Sequence, residues 1–174
     1  MIISVDELKK HIATSKDVQV LQDELEALEV KIRAYTNNNF QNRNIRFMVN
    51  ASNSKLNLST NLLKVNDTIE ISQSKYNDGV YVIKSVEDGE TTLDKELIDE
   101  QNLLITKVVY PLDVRQGVID MMKWDLNRKD KVGVQSETIS RHSVSYSDTN
   151  GENSIIGYPK ILVGFLKNYM KARF

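Results

Sequence analysis

The chain has 174 residues, 40% hydrophobic and 27% charged, with a formal net charge of −1. That is ordinary globular composition, which excludes wholesale disorder and offers no global attraction to nucleic acid or an anionic membrane. The absence of cysteine excludes a disulfide framework and a thiolate site. The length suits one domain, or one domain carrying a smaller one. The opening MIISVDELKK has no basic stretch followed by an apolar one, so no signal peptide is expected. No run approaches the roughly 18 apolar residues of a spanning helix. The expectation is a soluble protein in a reducing compartment, where the sequons at Asn50, Asn57 and Asn66 are accidents of an asparagine-rich sequence.

In chain order, Ser4-Val5-Asp6-Glu7 reads as a capping box, starting a short helix with Leu8 and Ile12 inward. Asp17 is the expected N-cap of a second, longer helix. There Leu21, Leu25, Leu28, Ile32 and Tyr35 recur at steps of four and three and form one stripe. Asp23, Glu24, Glu26, Glu29, Lys31 and Arg33 are expected to face water. About twenty helical residues span roughly 30 Å, so this stripe needs extensive cover. Asn37-Asn38-Asn39 should end the helix, because asparagine tolerates the left-handed conformation.

After Phe40 the periodicity changes. Between Ile45 and Tyr110 the runs IRFMV, KLNL, DTIEIS, VYVIKSV, TTLD and LLITKVVY have β character. Asn77-Asp78-Gly79 and Asp88-Gly89 are turn signals. Short strands this closely spaced predict a small closed or half-closed antiparallel barrel, since open edges invite aggregation.

Pro111 then marks a helix start, and Val114, Val118, Met121, Met122 and Leu126 supply its buried stripe. Gly117 in mid-helix costs about 1 kcal/mol against alanine, which implies close packing against another helix. Residues 131–153 are irregular, although Val144 and Tyr146 alternate as on a strand. A solitary strand must pair with the barrel, with a hairpin of its own, or with another subunit. Tyr158-Pro159 opens a last helix, expected to run to Phe174 with Ile161, Leu162, Phe165 and Tyr169 inward. The predicted fold is thus α+β: a small bundle of about four helices, residues 1–42 and 110–174, with an antiparallel β-barrel-like module inserted at 43–109.

The sequence carries no recognisable catalytic signature. His11 sits on an amphipathic helix four residues after Glu7, and His142 lies in the irregular segment; both suit a surface better than a base or ligand. No residues have metal-ligand spacing, so neither a metal nor a cofactor is expected. Asp148–Glu152 resembles the front of a calcium loop, but its glycine is two positions early and Pro159 stands where the bidentate glutamate belongs. P-loop, dinucleotide and nucleophile-elbow patterns are missing. An enzyme reading would require His142 to converge with Glu137 or Asp148. The C-terminal helix is basic, with Lys160, Lys167, Lys171 and Arg173 and no acid after Glu152. Cations there complement the helix dipole, and could also touch phosphates. Its surplus of Phe165, Tyr169, Met170 and Phe174 favours an arm that docks on a protein partner.

Several segments together resemble the head–tail connector (adaptor) family of tailed bacteriophages, in the form typical of siphophages of Gram-positive hosts. They are SVDELKKHI, IRAYTNNNF, VVYPLDV, ETISRHSVSYS and GYPKILVGFLKNYMKARF. The β-region, with DTIEISQSKYNDGVYVIKSV and ITKVVYP, looks like the module inserted in some members only. Ser140 departs from the pattern, where glycine is expected before the Arg141–Tyr146 stretch. The resemblance implies a structural virion protein without catalytic residues, monomeric when free. It would be made in the bacterial host cytoplasm and assemble as a dodecameric ring beneath the portal. The ring would extend the DNA channel without reading sequence and meet a neck or stopper protein. Lys160, Phe165, Lys167, Tyr169, Met170, Lys171, Arg173 and Phe174 would then dock on the portal. Ile139, Arg141, His142, Val144 and Tyr146 would form an inter-subunit strand. The alternative is a non-catalytic binding module whose barrel recognises a peptide or nucleic acid, through Phe47, Tyr76, Tyr81 and Tyr110 with the scattered Lys64, Lys75, Lys84 and Lys107.

Overall fold

The backbone divides after Asn38 and again after Tyr110. One compact unit holds Met1 and Asn39–Tyr110, the other Ile2–Asn38 and Pro111–Phe174. The computed structural model describes residues 1–128 and 154–172, plus the backbone of two short strands at 136–139 and 142–145.

In the first unit, β1 (Gln41–Ser52), β2 (Lys55–Leu56), β3 (Thr68–Ser72), β4 (Gly79–Glu87), β5 (Glu90–Leu93) and β6 (Glu100–Val108) close into a barrel in the order β1-β2-β5-β4-β3-β6. Closure leaves no open sheet edge. β1 is 12 residues long. It shifts register twice against β6, irregularities that let a long strand bend around a small barrel. Two-residue loops at Asn53-Ser54 and Asp88-Gly89 have positive φ at both positions, as type I′ hairpin turns require. The interior is filled by aliphatic side chains, among them Val49, Leu56, Ile69, Ile71, Ile83 and Ile105.

Asn77 lies in the β3–β4 hairpin connection, as its turn chemistry predicts, and is also a buried staple. Its side-chain amide donates to the Ile98 carbonyl at 2.9 Å, and its Oδ1 accepts the Ile98 amide at 2.8 Å. Glu100 accepts from the Ser74 hydroxyl (2.8 Å), the Lys75 amide (2.7 Å), the Tyr76 amide (3.3 Å) and Asn77 (3.0 Å). Chief among these, the Lys75 amide helps hold the Glu100 carboxyl below the usual glutamate range.

The second unit contains α1 (Val5–His11), α2 (Val18–Thr36) and α3 (Leu112–Arg128). It also contains the hairpins β7 (Ser136–Ile139) with β8 (His142–Ser145), and β9 (Ser154–Ile155) with β10 (Tyr158–Pro159). The α4 helix (Lys160–Val163) and a 3-10 segment (Gly164–Tyr169) complete it. Ser4 caps α1 by accepting the Glu7 amide at 3.1 Å, but the Glu7 carboxylate turns to Arg115 instead of reaching back to Ser4. Asp17 caps α2, and Asn37 ends it in the left-handed conformation at φ 49°. Leu21, Leu25, Leu28 and Ile32 are buried along its stripe, while Tyr35 is half-buried. Glu29 is the exception to the solvated face: it is buried, 3.7 Å from Arg33.

The expectation of a helical bundle carrying a β-module as an attachment is corrected. The chain is α+β, but strand dominates, at about 31%. One cause is β1, which starts immediately after Phe40. The other is the C-terminus, where the expected long helix is reduced to four residues and a 3-10 turn.

The Glu100 network yields a pH signature. A carboxyl whose folded pKa is depressed stabilises the fold above its unfolded value of about 4.3, and that contribution is lost as pH falls through the lower folded value. Glu100→Gln should therefore lower the barrel's melting temperature at pH 7. In thermal unfolding from pH 7 to 2, the gap to the parent should narrow below about pH 4; a gap independent of pH refutes this role. Asn77→Ala should cost about 1–3 kcal/mol, because it strands two Ile98 backbone groups.

Candidate functional site

Both sequence-derived docking features, the C-terminal segment and the stretch around His142, lie in the second unit. The C-terminal segment begins with the β9–β10 hairpin, whose two-residue loop is Ile156-Gly157 with φ values of 50° and 91°. A β-branched residue in the left-handed region is strained. Ile156 nevertheless lines a cleft of about 250 Å³ with Leu28 of α2, Asp125 of α3 and Tyr158. The Tyr158 hydroxyl donates to Asp125 at 2.5 Å, and Trp124 meets the Tyr158 ring edge-on at 5.4 Å. Burial first, and donation to Asp125 second, push the Tyr158 hydroxyl far above the usual tyrosine range, so it stays a protonated donor.

From Lys160 onward the inward positions are Val163 and Leu166, both fully buried, with half-buried Tyr169 following at the same spacing of three. That is the 3-10 period, not the four-and-three spacing expected through Leu162, Phe165 and Tyr169. Gly164 and Asn168 are weak helix formers, and β-branched Ile161 and Val163 add little, so packing decides the geometry. Ile161, expected inward, is 95% exposed.

Phe165 lies on α3 where Gly117 leaves room; a Cβ at Gly117 would overlap its ring. The Tyr169 hydroxyl donates to both Asp113 oxygens, at 2.6 and 2.7 Å, and that bond is the main cause raising its pKa. Beyond it the backbone is strapped to the C-terminal end of α2. The Asn38 amide donates to the Tyr169 carbonyl at 3.0 Å, the Lys171 amide to the Thr36 carbonyl at 2.8 Å, and the Asn37 amide to the Ala172 carbonyl at 2.8 Å. The asparagine run was read only as a helix stop, so its second use as a clamp was missed.

Of the expected docking residues, Phe165 and Tyr169 are therefore committed to internal contacts. Lys160, Lys167, Met170 and Lys171 remain exposed, and Ile161 joins them. Arg173 and Phe174 lie outside the described residues. The expected single inter-subunit strand is split over a hairpin of its own: Ile139 lies on β7 opposite His142 on β8, and Glu137 lies opposite Val144. Arg141, Tyr146 and Asp148, and the side chains on β7 and β8, lie outside the description.

A second depression, a groove of about 500 Å³, lies between α1 and α3. Leu112 and Ile119 give it apolar surface, and Glu7, His11, Asp113 and Arg115 give it polar surface. Arg115 holds both Glu7 oxygens at 2.7 Å, which leaves exposed His11 beside an ion pair already formed. Among the described residues no group of three or more His, Asp or Glu is placed to hold a metal ion. No helix among them is long and apolar enough to cross a membrane.

No family model matches the chain, and neither does any curated protein.

The Gly117–Phe165 contact can be tested by a double-mutant cycle. Gly117→Ala alone should destabilise by about 1–3 kcal/mol through overpacking, despite alanine's better helix propensity. In a Phe165→Ala background the same change should stabilise by up to about 1 kcal/mol, as propensity alone would dictate. Denaturant unfolding of the four proteins measures both; the same sign in both backgrounds would disprove the contact.

Proposed function

We propose that the chain is a structural protein of a tailed-phage neck, a head–tail adaptor. It assembles as a ring under the portal, continues the DNA channel, and offers its far side to the next neck protein. No catalytic step is involved; shape and oligomerisation do the work. The supporting observation is the anchored C-terminal segment. Its apolar side is spent on Gly117, α2 and α3, while Lys160, Ile161, Lys167, Met170 and Lys171 stand exposed on a backbone clamped by Asn37 and Asn38. A pre-ordered backbone that presents cationic and apolar side chains loses little backbone entropy on docking, so it suits a protein partner. The β7–β8 hairpin adds a two-stranded sheet whose outer edges pair with no other strand among the described residues, and a neighbouring subunit could extend it.

One observation favours the second reading, a barrel that binds a peptide or nucleic acid. Tyr76 is 55% exposed beneath the Lys75 ammonium, 4.8 Å from its ring centre, on the loop that Glu100 pins. The other aromatics named for that reading do not join it. Tyr81 and Tyr110 are buried, the first donating to the Asn77 carbonyl and the second against Phe40, and Phe47 is half-buried. One exposed tyrosine makes a weak stacking platform.

Native mass spectrometry of the chain with and without purified portal assemblies tests the adaptor reading. The expected result is a monomer alone and an integral ring of copies on the portal, visible by negative-stain microscopy. Failure to bind an intact portal, together with tight salt-dependent binding of an oligonucleotide, would transfer the case to the barrel.

A further inference from the structure

A closed ring needs two different surfaces on every copy, one giving and one receiving, because a contact that pairs a patch with itself stops at a dimer. The second unit carries such a pair around α3. At about 100° per residue, Leu112, Gln116 and Ile119 share one face, while Asp113, Gly117 and Trp124 lie roughly a third of a turn away. The C-terminal segment occupies the latter face, through Phe165 on Gly117 and Tyr169 on Asp113. The former face, with α1, forms the groove of about 500 Å³.

The two surfaces are complementary in shape and charge. The groove has buried Ile119 at its floor and offers Leu112, 79% exposed, as apolar surface. Its carboxylates, Glu7 and Asp113, outnumber its one guanidinium, Arg115; Asp113 stands at the rim between the two faces, where it also accepts the Tyr169 hydroxyl. On the other face Ile161 projects into solvent beside exposed Lys160, from a segment fixed two residues later by buried Val163. We propose that Ile161 and Lys160 of one copy enter the α1–α3 groove of the next. The isoleucine covers Leu112, and the ammonium group meets the surplus carboxylate. This contact rests on the ring reading and specifies which surfaces close the ring.

A chain without cysteine makes the contact simple to probe. Leu112→Cys and Ile161→Cys fall at exposed positions, so the fold should tolerate both. The doubly substituted chain, assembled on the portal, is treated with a short bismaleimide. Expected on a denaturing gel is a ladder extending well past the dimer, with neither single variant cross-linking, because like positions are apart in a head-to-tail contact. A ladder ending at the dimer, or equal cross-linking of a single variant, overturns the proposal in favour of a symmetric contact. Portal-bound rings without any cross-link overturn it and leave the adaptor reading intact; neither rings nor cross-links overturns both. Ile161→Asp should weaken ring assembly at least tenfold with unchanged thermal unfolding, and unchanged assembly would likewise sink the contact.

Discussion

The second unit depends on the wedge formed by the 3-10 segment between α2 and α3. Its residues contact both helices. Val163 and Leu166 bring aliphatic side chains to full burial, an effect of about 1.5–3 kcal/mol for each. The Phe165 ring sits where α3 has no side chain. A glycine in mid-helix weakens α3 by about 1 kcal/mol, and close approach of an aromatic ring returns more than that. The backbone is then tied at Asn37, Asn38 and Thr36, so the points from which its exposed side chains project are set.

The barrel reaches definition by another route. Its closed hydrogen-bonding removes the edge problem, and its β3–β4 loop is held by charge-assisted bonds to a single carboxylate, Glu100. Such bonds are about twice as strong as neutral ones. The loop is rigid without being buried, which leaves Lys75 and Tyr76 presented to solvent.

What could be read from residues was local chemistry. The caps at Ser4, Asp17 and Asn37 are short-range hydrogen bonds encoded within four residues, and each is present. Gly117 announced a close neighbour, though not that the neighbour would be Phe165. The failures have a common origin in long-range packing. The final helix was drawn from a four-and-three stripe, but burial of Val163 and Leu166 imposes a spacing of three. Glu29 was placed in water by its charge, and tertiary cover encloses it beside Arg33. Asn77 sits in the turn its chemistry predicts, but its side-chain bonds to Ile98 and Glu100, far away in sequence, were not legible there. The balance of helix and strand was misjudged for the same reason: β1 gains its length from β6, which no local pattern reveals.

The rings of Phe40 and Tyr110 meet at 4.9 Å, and the Val109 amide donates to the Phe40 carbonyl at 2.9 Å, so the barrel holds its own two ends together. During synthesis every barrel residue leaves the ribosome before Val163 or Leu166 is made. Once closed, the barrel holds the two ends of a long excursion of chain, Phe40 and Tyr110, side by side. That removes roughly 2 to 3 kcal/mol of loop-closure entropy relative to an unstructured insert of the same length. The barrel thus returns the chain at Tyr110 next to the residue at which it entered.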